Sequence, residues 1–228
     1  QGQTLLTQVR PYFSLADHAA VNLESQVSDV IPKERAPKSV TFISPPETIP
    51  ALQWAGIDYV TLGNNHIYDH LDEGLRSTLH YLEQYDLAYS GAGLNQEQAL
   101  KPYTWQHGKQ AFDWLGFVGW TGGFSPNQVA EANKGGSAWG HQENIKKTVT
   151  QSQLQNHATI VQYHGSLEYS DEPTGMTETR LKSALDWGAD LVVAHHPHVT
   201  QGLELYNDKL IAYSMGNLLF DQYFHSTP

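Results

Sequence analysis

Histidines at the carboxyl ends of predicted strands are the residues of this sequence best suited to chemistry. Three imidazoles lie within four residues at 195–198, directly after the predicted strand 190–194. His66 and His164 also follow predicted strands, and Glu24 follows another. Imidazole nitrogens and carboxylate oxygens suit Zn, Mn, Fe or Ni, and the absence of cysteine excludes thiolate sites. These residue types therefore predict a divalent-metal site.

Each of these residues also has an ordinary structural role open to it. A single His164 after a strand is commonly a hydrogen-bonded core histidine, and Asn65-His66 after a glycine is typical of a turn. Glu24 is equally compatible with a helix cap or a solvated loop end. Ligands of open α/β sheets, however, bind outside the carboxyl ends of strands. Because four strand ends carry such residues, we favour one metal site over four separate structural roles.

Alternating strand and helix patterns predict an α/β layered fold with mixed sheets. Short buried runs predict strands at 20–23, 57–62, 87–90, 111–120, 158–163 and 190–194. Helical spacing and glycine stop signals predict helices at 46–55, 72–85, 145–156 and 177–187. A hairpin is expected at 203–213, around Asn207-Asp208. Residues 5–20 suggest a loose helix, and residues 25–45 suggest a surface loop.

Charge and composition exclude several classes of protein. The 228 residues include 24 acids and 13 bases, which gives a net charge of −11 with neutral histidines. A field of that sign repels nucleic acid and anionic lipid, so we expect no nucleic-acid partner. With 39% hydrophobic and 16% charged residues, the chain is too apolar to be disordered. An anionic substrate is still compatible with this charge, because a bound metal ion inverts the local field.

Six segments, ordered along nearly the whole chain, resemble the bacterial capsule-biosynthesis CapA family, also called poly-γ-glutamate synthesis (PgsA-type) proteins. That family is similar to the calcineurin-like metallophosphoesterases. The matching segments are Asn22-Leu23-Glu24, Asn64-Asn65-His66 with Asp69, Gly91-Ala92-Gly93, His164 with Glu168-Tyr169, Ala189-Asp190 leading into the histidine run, and Ala212-Tyr213-Ser214-Met215-Gly216-Asn217. The resemblance implies a layered α-β-β-α metallophosphoesterase-like fold with mixed sheets, as a single domain over residues 1–228.

The same resemblance implies a site that holds one or two divalent ions of Mn, Zn or Fe. The residues at its metal-ligand positions are Glu24, Asn65, His66, His164, His196 and His198. Asp69 and Glu168 are expected beside the site, where they would orient ligand histidines. Asn217 is expected either at the cavity rim or in a strand-end turn. His195 is the expected catalytic residue, protonating the leaving oxygen.

Three features depart from the family pattern. Family members begin with a strand that ends in Gly-Asp, and no such pair precedes Asn22. We therefore expect that strand upstream of Gln1 and the C-terminal end of the domain beyond this chain. Gly165 follows His164 where the family usually has tryptophan, and Ala194 replaces a glycine before the histidine run. Four tryptophans are expected to pack in the core rather than line a substrate cleft: Trp105, Trp114, Trp120 and Trp139.

The function implied by the resemblance is support for the synthesis or export of capsular poly-γ-glutamate. The implied location is the bacterial cell surface, with membrane anchoring through a segment absent from this chain. The implied partners are capsule-synthesis membrane proteins and an anionic polymer or phosphoester substrate. A metal-dependent hydrolase or phosphoesterase is the enzymatic interpretation. A catalytically inactive polymer-binding or assembly module on the same fold is the alternative.

Overall fold

The computed structural model of the chain describes residues 2–220. Within that range the helices are α1 (Gly2–Leu6), α2 (Arg10–Phe13), α3 (Thr48–Ala55), α4 (Leu71–Gln84), α5 (Gln96–Ala99), α6 (Gln142–Leu154) and α7 (Gly175–Asp186). The strands are β1 (Ala20–Asn22), β2 (Gln26–Val27), β3 (Ile43–Ser44), β4 (Tyr59–Thr61), β5 (Ala88–Ser90), β6 (Ala92–Gly93), β7 (Tyr103–His107), β8 (Gln110–Val118), β9 (Gly136–Ser137), β10 (Ala158–His164), β11 (Leu191–His195), β12 (Leu203–Tyr206) and β13 (Lys209–Ala212). None of the helices in residues 2–220 combines the length and the apolar character needed to cross a membrane.

A parallel sheet in the order β1-β4-β5 forms the first strand layer. Its register aligns Val60 of the central strand with Val21 on one side and Tyr89 on the other. β4 is buried along its whole length, as is typical of the central strand of a parallel sheet. Because all three strands run in one direction, the residues that follow them lie at a single edge of the sheet.

The second layer is a six-stranded sheet in the order β12-β13-β11-β10-β8-β7. Its four inner strands are parallel, and the two edge strands pair antiparallel to their neighbours. β10 is buried from Thr159 to His164, on both of its faces. The predicted hairpin is confirmed, and Asn207 and Asp208 take the left-handed φ values of 51° and 61° that suit a two-residue turn.

Helices cover the outer face of each sheet, which gives the predicted α-β-β-α layering. On the three-stranded sheet, Leu75 and Leu82 of α4 pack in one buried cluster with Val60. On the six-stranded sheet, helices α6 and α7 pack in a second buried cluster with Val161 and Val192. Because successive side chains of a strand point to opposite faces, the face of each sheet that the helices leave uncovered packs against the other sheet.

The two sheets approach closely because glycines line part of their contact. A Cβ atom on Gly63 would overlap the backbone of Phe117, and one on Gly116 would overlap the Thr61 hydroxyl. The Ser90 hydroxyl donates a 2.9 Å hydrogen bond across this contact to the Trp114 carbonyl oxygen. This close packing brings the carboxyl edges of both sheets together, and those edges carry the histidines.

The structure corrects three features of the predicted layout. The loose helix expected at 5–20 is wrong, because only the short helices α1 and α2 form in that range. The expected surface loop at 25–45 contains the parallel pair β2 and β3. The edge strand β7 was not predicted, and the neighbouring strand β8 ends at Val118 rather than at residue 120. Two-residue strands are too short for an alternating pattern, so the sequence carries no signal for them.

Candidate metal centre

Residues from both sheets meet at one buried cluster around the Glu24 carboxylate. Glu24 Oε1 lies 3.3 Å from His164 Nε2 and 4.0 Å from His66 Nε2. His164 Nε2 in turn lies 3.1 Å from His196 Nδ1. These contacts join the segments after β1 and β4 with the carboxyl ends of β10 and β11. The strand-end histidines therefore share one site.

The donor atoms of this cluster fit a divalent cation. One ligand atom each from Glu24, His196 and His198 lies within 4.8 Å of the others. Two buried oxygens in the site, Glu24 Oε1 and Asn65 Oδ1, have no hydrogen-bond partner among the described residues. The contact from Glu24 Oε1 to His164 is short, but it lacks the alignment of a hydrogen bond. Mn, Zn and Fe bind to carboxylate or amide oxygens and to imidazole nitrogens. A bound ion would also explain why these two buried oxygens have no hydrogen-bond partner.

The surroundings of Glu24 and His196 shift the pKa values of both side chains in the direction that favours binding of a cation. Burial raises the pKa of Glu24, but the larger combined effect of His164, His66 and His198 lowers that pKa to about 2. Burial, and then the charge of His164, lowers the pKa of His196 to about 2, although Glu24 opposes the shift. Glu24 is therefore ionised and His196 neutral near pH 7. Both are in the protonation state that metal ligands need.

His66 is oriented by a buried carboxylate and a lysine. Its Nδ1 lies 2.7 Å from Asp69 Oδ2, which leaves Nε2 facing Glu24. Asp69 is fully buried and accepts a 2.6 Å hydrogen bond from Lys38 Nζ. Lys38 also donates to the Asn65 carbonyl oxygen at 2.8 Å. Such carboxylate partners fix the tautomer and the ring plane of a metal-binding histidine.

Two asparagines link the β1 and β4 segments of the site. Asn64 Nδ2 donates to the Asn22 side-chain oxygen at 3.0 Å and to the Leu23 carbonyl oxygen at 2.9 Å. Asn22 Nδ2 donates to Glu24 Oε2 at 3.1 Å, so the free Oε1 turns toward the histidines. Asn64 Oδ1 accepts from the backbone N–H of His66 at 3.0 Å. Neither Asn22, Asn64 nor Lys38 was predicted as a site residue, although both asparagines belong to the motifs after their strands.

The turn after β11 holds His196 and His198 in an unusual backbone conformation. Their φ values are 102° and 61°, in a region that residues other than glycine rarely occupy. His198 Nδ1 lies 2.9 Å from Asn217 Oδ1, so Asn217 contacts the cluster. Strained backbone of this kind is typical of functional sites, where the surrounding fold supports it.

Aromatic rings cover the imidazoles. The Trp120 ring stacks 6.1 Å from His164 and lies tilted at 4.7 Å from His196. Phe42 lies 4.3 Å from His66, measured between ring centroids. Trp120 is thus a site residue, against the expectation that it packs in the core. The sequence placed Trp120 at the end of the predicted strand 111–120, but it carried no signal for the packing against the histidines.

The side chains of two predicted site residues form no hydrogen bond or ion pair with the metal cluster in the described part of the chain. His195 pairs in register with His164, and its Nε2 is buried with no hydrogen-bond partner within residues 2–220. Burial, and then the charge of His164, lowers the pKa of His195 to about 4, so the ring is neutral near pH 7. Glu168 is exposed, and no hydrogen bond or ion pair in the described part of the chain joins it to His164. The catalytic role of His195 and the orienting role of Glu168 stay predictions.

The two packed sheets, with helices on their outer faces, define a layered α/β protein with a candidate metal centre at the strand ends. The fold is similar to the crystal structure of TT1561 of Thermus thermophilus, with a TM-score of 0.50. That alignment covers 93% of this chain and 82% of the other at 12% identity, so the likeness concerns the fold alone.

Sequence relationships give the family. The family model described as "Bacterial capsule synthesis protein PGA_cap" matches residues 1–222, and the chain belongs to this family. The capsule biosynthesis protein CapA of Bacillus anthracis is 30% identical over 220 residues, which cover 94% of this chain and 53% of the relative. The PGA biosynthesis protein CapA of Bacillus subtilis (strain 168) is 28% identical over 219 residues, which cover 96% and 57%. The chain thus spans about half the length of these relatives.

Proposed function

We propose that this chain carries a metal-dependent phosphoesterase-like site within a protein that supports synthesis or export of capsular poly-γ-glutamate. The observation behind the site is the convergence of Glu24, His164 and His196, with a buried carboxylate oxygen that has no hydrogen-bond partner within residues 2–220. The names of the two CapA relatives, which refer to capsule and to PGA biosynthesis, support the biological role.

The proposed ligands bind one or two ions of Mn, Zn or Fe, and they are Glu24, Asn65, His66, His164, His196 and His198. Divalent ions held by these residues would supply Lewis acidity for a displacement at phosphorus. The protein contributes an ionised Glu24 and a neutral His196 imidazole, which need no proton loss on binding.

Other side chains of the chain have supporting roles in this proposal. Asp69 and Lys38 hold His66 in one orientation, and the Trp120 ring excludes water from the His164 and His196 side of the site. His195 is the proposed proton donor to the leaving oxygen. A phosphoester anion bound nearby would raise the pKa of His195 toward the imidazolium form that this role needs.

Hydrolysis of chromogenic phosphate esters tests the enzymatic part of the proposal. The full-length protein, loaded in turn with Mn, Zn and Fe, is assayed with p-nitrophenyl phosphate and bis(p-nitrophenyl) phosphate. We expect turnover that falls to background in Glu24→Gln and His196→Ala and persists in His80→Ala, which changes an exposed histidine. Equal rates in the wild type and His196→Ala with every metal would refute the enzymatic proposal. Binding of polymer without turnover would then support the inactive polymer-binding module.

We also propose a cell-surface location, membrane anchoring outside this chain, and capsule-synthesis membrane proteins as partners. The net charge of −11 opposes direct contact with an anionic polymer, so the metal centre or basic partner proteins would offset this repulsion. A gene deletion tests the role. We expect capsular poly-γ-glutamate to fall and to recover with the wild-type gene, whereas an unchanged amount of polymer would contradict it.

A further inference from the structure

A cavity lies at the amino ends of the strands of the three-stranded sheet, on the side opposite to the metal centre. Its volume is about 550 Å³, and its apolar floor includes Leu82 and Leu87. Its other lining residues include His18, just before β1, and Asp58, just before β4. Because β1 and β4 run parallel, these residues lie at the amino ends of the strands whose carboxyl ends carry the metal ligands. Neither the proposed reaction nor the metal uses this cavity.

The charge of the cavity is negative and uncompensated. Asp58, Glu83 and Asp86 line it, and none of its lining residues is lysine or arginine. Among the described residues, no lysine or arginine forms an ion pair with these three acids. Glu83 accepts a 3.2 Å hydrogen bond from the Tyr89 hydroxyl, and Asp58 lies 3.9 Å from the His18 ring. Three like charges around one cavity attract a cation and disfavour an anion.

The spacing of these acids does not suit a metal ion. Within residues 2–220, the carboxylate oxygens of Asp58, Glu83 and Asp86 do not all lie within 4.8 Å of one another. A cation that contacts all three must therefore be extended. The cavity volume lies in the range of sites for small organic ligands.

Aromatic rings form one wall of the cavity. The His18 ring stacks on Trp105 at 4.5 Å and on Tyr103 at 5.7 Å. The His18 side chain is only 5% exposed, and its Nε2 has no hydrogen-bond partner within the described range. Burial lowers the pKa of His18, although Asp58 opposes the shift, so the ring does not neutralise the acids near pH 7. Electron-rich rings beside carboxylates are typical surroundings of an organic cation.

We propose that this cavity binds an organic cation, an alkylammonium or guanidinium group on a short aliphatic chain. The acids Asp58, Glu83 and Asp86 pair with the charge, the rings of Tyr103 and Trp105 form the wall beside the cationic group, and the apolar side chains of Leu82 and Leu87 contact the aliphatic chain. The group belongs either to a free small-molecule amine or to a lysine or arginine side chain. Both sources present the same chemistry to the cavity.

Titration of the purified chain with n-butylguanidinium, followed by the indole N–H signals in NMR, tests the proposal. We expect a saturable shift of the Trp105 indole and none with n-butanol, a neutral probe with the same alkyl chain. The double variant Asp58→Asn/Asp86→Asn should bind about tenfold more weakly. The Asp58 carboxylate accepts a 2.8 Å hydrogen bond from the Ala19 N–H. The amide oxygen of the substituted side chain can accept the same bond, so Asp58→Asn removes the charge but keeps this contact. The matched control Asp171→Asn/Glu172→Gln removes two exposed acids elsewhere and should bind as the wild type does.

Two further measurements distinguish the two possible sources of the cation and test whether the cavity acts independently of the metal centre. Tighter binding of a blocked Gly-Arg-Gly peptide than of butylguanidinium supports a protein side chain, whereas tighter binding of the free cation supports a small molecule. His196→Ala should bind the cation as the wild type does, because the metal centre lies at the other edge of the sheet. Equal binding of butanol and butylguanidinium, or equal affinity in the wild type and the Asp58→Asn/Asp86→Asn variant, would overturn the proposal.

Discussion

Glu24 is the residue on which the histidines of both sheets converge. Its oxygen Oε2 is held by Asn22, and its oxygen Oε1 faces His164 and His66 without a hydrogen bond. The low pKa of Glu24 keeps this buried oxygen ionised despite the penalty of burial. A bound cation would balance that charge, and the metal proposal therefore depends most directly on this carboxylate.

Removing the orienting carboxylate of His66 should weaken metal binding. Asp69→Asn keeps the shape of the side chain but loses the charge that fixes the His66 tautomer. We expect metal affinity to fall about 10–100-fold by isothermal titration with Zn or Mn. The exposed Asp171→Asn is the control, and circular dichroism checks that Asp69→Asn is folded. Unchanged affinity in folded Asp69→Asn would contradict this role.

Lowering the pH should destabilise the fold in part through His18. Its folded pKa lies below the ordinary value of 6.5, because burial disfavours the charged ring. Below that pH the unfolded chain binds the proton more readily than the folded chain, so stability falls as the pH falls. The decline of Tm between pH 7 and pH 5 should be shallower in His18→Gln than in the wild type, while His80→Gln should match the wild type. Parallel declines in the wild type and His18→Gln would show that His18 does not contribute.

The turn after β11 is the element that carries most of the strain at the site. It presents His196 and His198 on left-handed positions separated only by Pro197. A residue other than glycine in such a conformation costs about 1–3 kcal/mol, which the packing around the turn must offset. The turn therefore lowers the stability of the fold, and the same backbone conformation directs two imidazoles into one site.

Glycine at position 196 should relieve this strain. In metal-free protein, both His196→Gly and His196→Ala lose the imidazole, but only glycine adopts a φ of 102° without a steric penalty. We expect His196→Gly to be about 1 kcal/mol more stable than His196→Ala in urea denaturation. Exposed Glu73 in helix α4 is the control position, where the opposite order is expected. Glu73→Gly should be about 1 kcal/mol less stable than Glu73→Ala. The same order at both positions would argue against strain at His196.

Elements with strong local patterns could be predicted from the sequence, whereas those that depend on distant contacts could not. The strand ending at His164 and the hairpin around Asn207-Asp208 carry their own signals in buried runs and turn residues. The pair of β2 and β3 has two residues a strand, and only its surroundings stabilise it. The role of Lys38 could not be predicted from the sequence either, because it comes from a contact with Asp69, 31 residues away.

At the scale of the whole molecule, the contact between the two sheets assembles the site. Neither sheet carries the full donor set, since Glu24 and His66 follow strands of one sheet and His164 and His196 lie at the strand ends of the other. Gly63 and Gly116 allow the sheets to come close enough for these groups to meet. The same layering leaves the opposite edge of the three-stranded sheet free for the acidic aromatic cavity.

A methyl group between the sheets should therefore be strongly destabilising. Gly63→Ala places a Cβ against the backbone of Phe117, which cannot move aside as a flexible side chain could. We expect a loss of about 2–3 kcal/mol or more in the free energy of unfolding, measured in urea. Gly123→Ala is the control, because a Cβ there meets no atom of residues 2–220 within 4 Å, and it should change stability by less than about 0.5 kcal/mol. Similar stability of the two variants would contradict the proposed tight contact.

The metal content of the purified chain tests the central claim most directly. The chain is reconstituted with Mn, Zn or Fe, dialysed and measured by elemental mass spectrometry beside Glu24→Gln, His196→Ala/His198→Ala and the control His80→Ala. We predict about one or two equivalents of metal in the wild type and the control, and a loss of that metal in the two site variants. Absence of metal from the reconstituted wild type, or equal metal in the site variants, would contradict the account of this cluster as a metal centre.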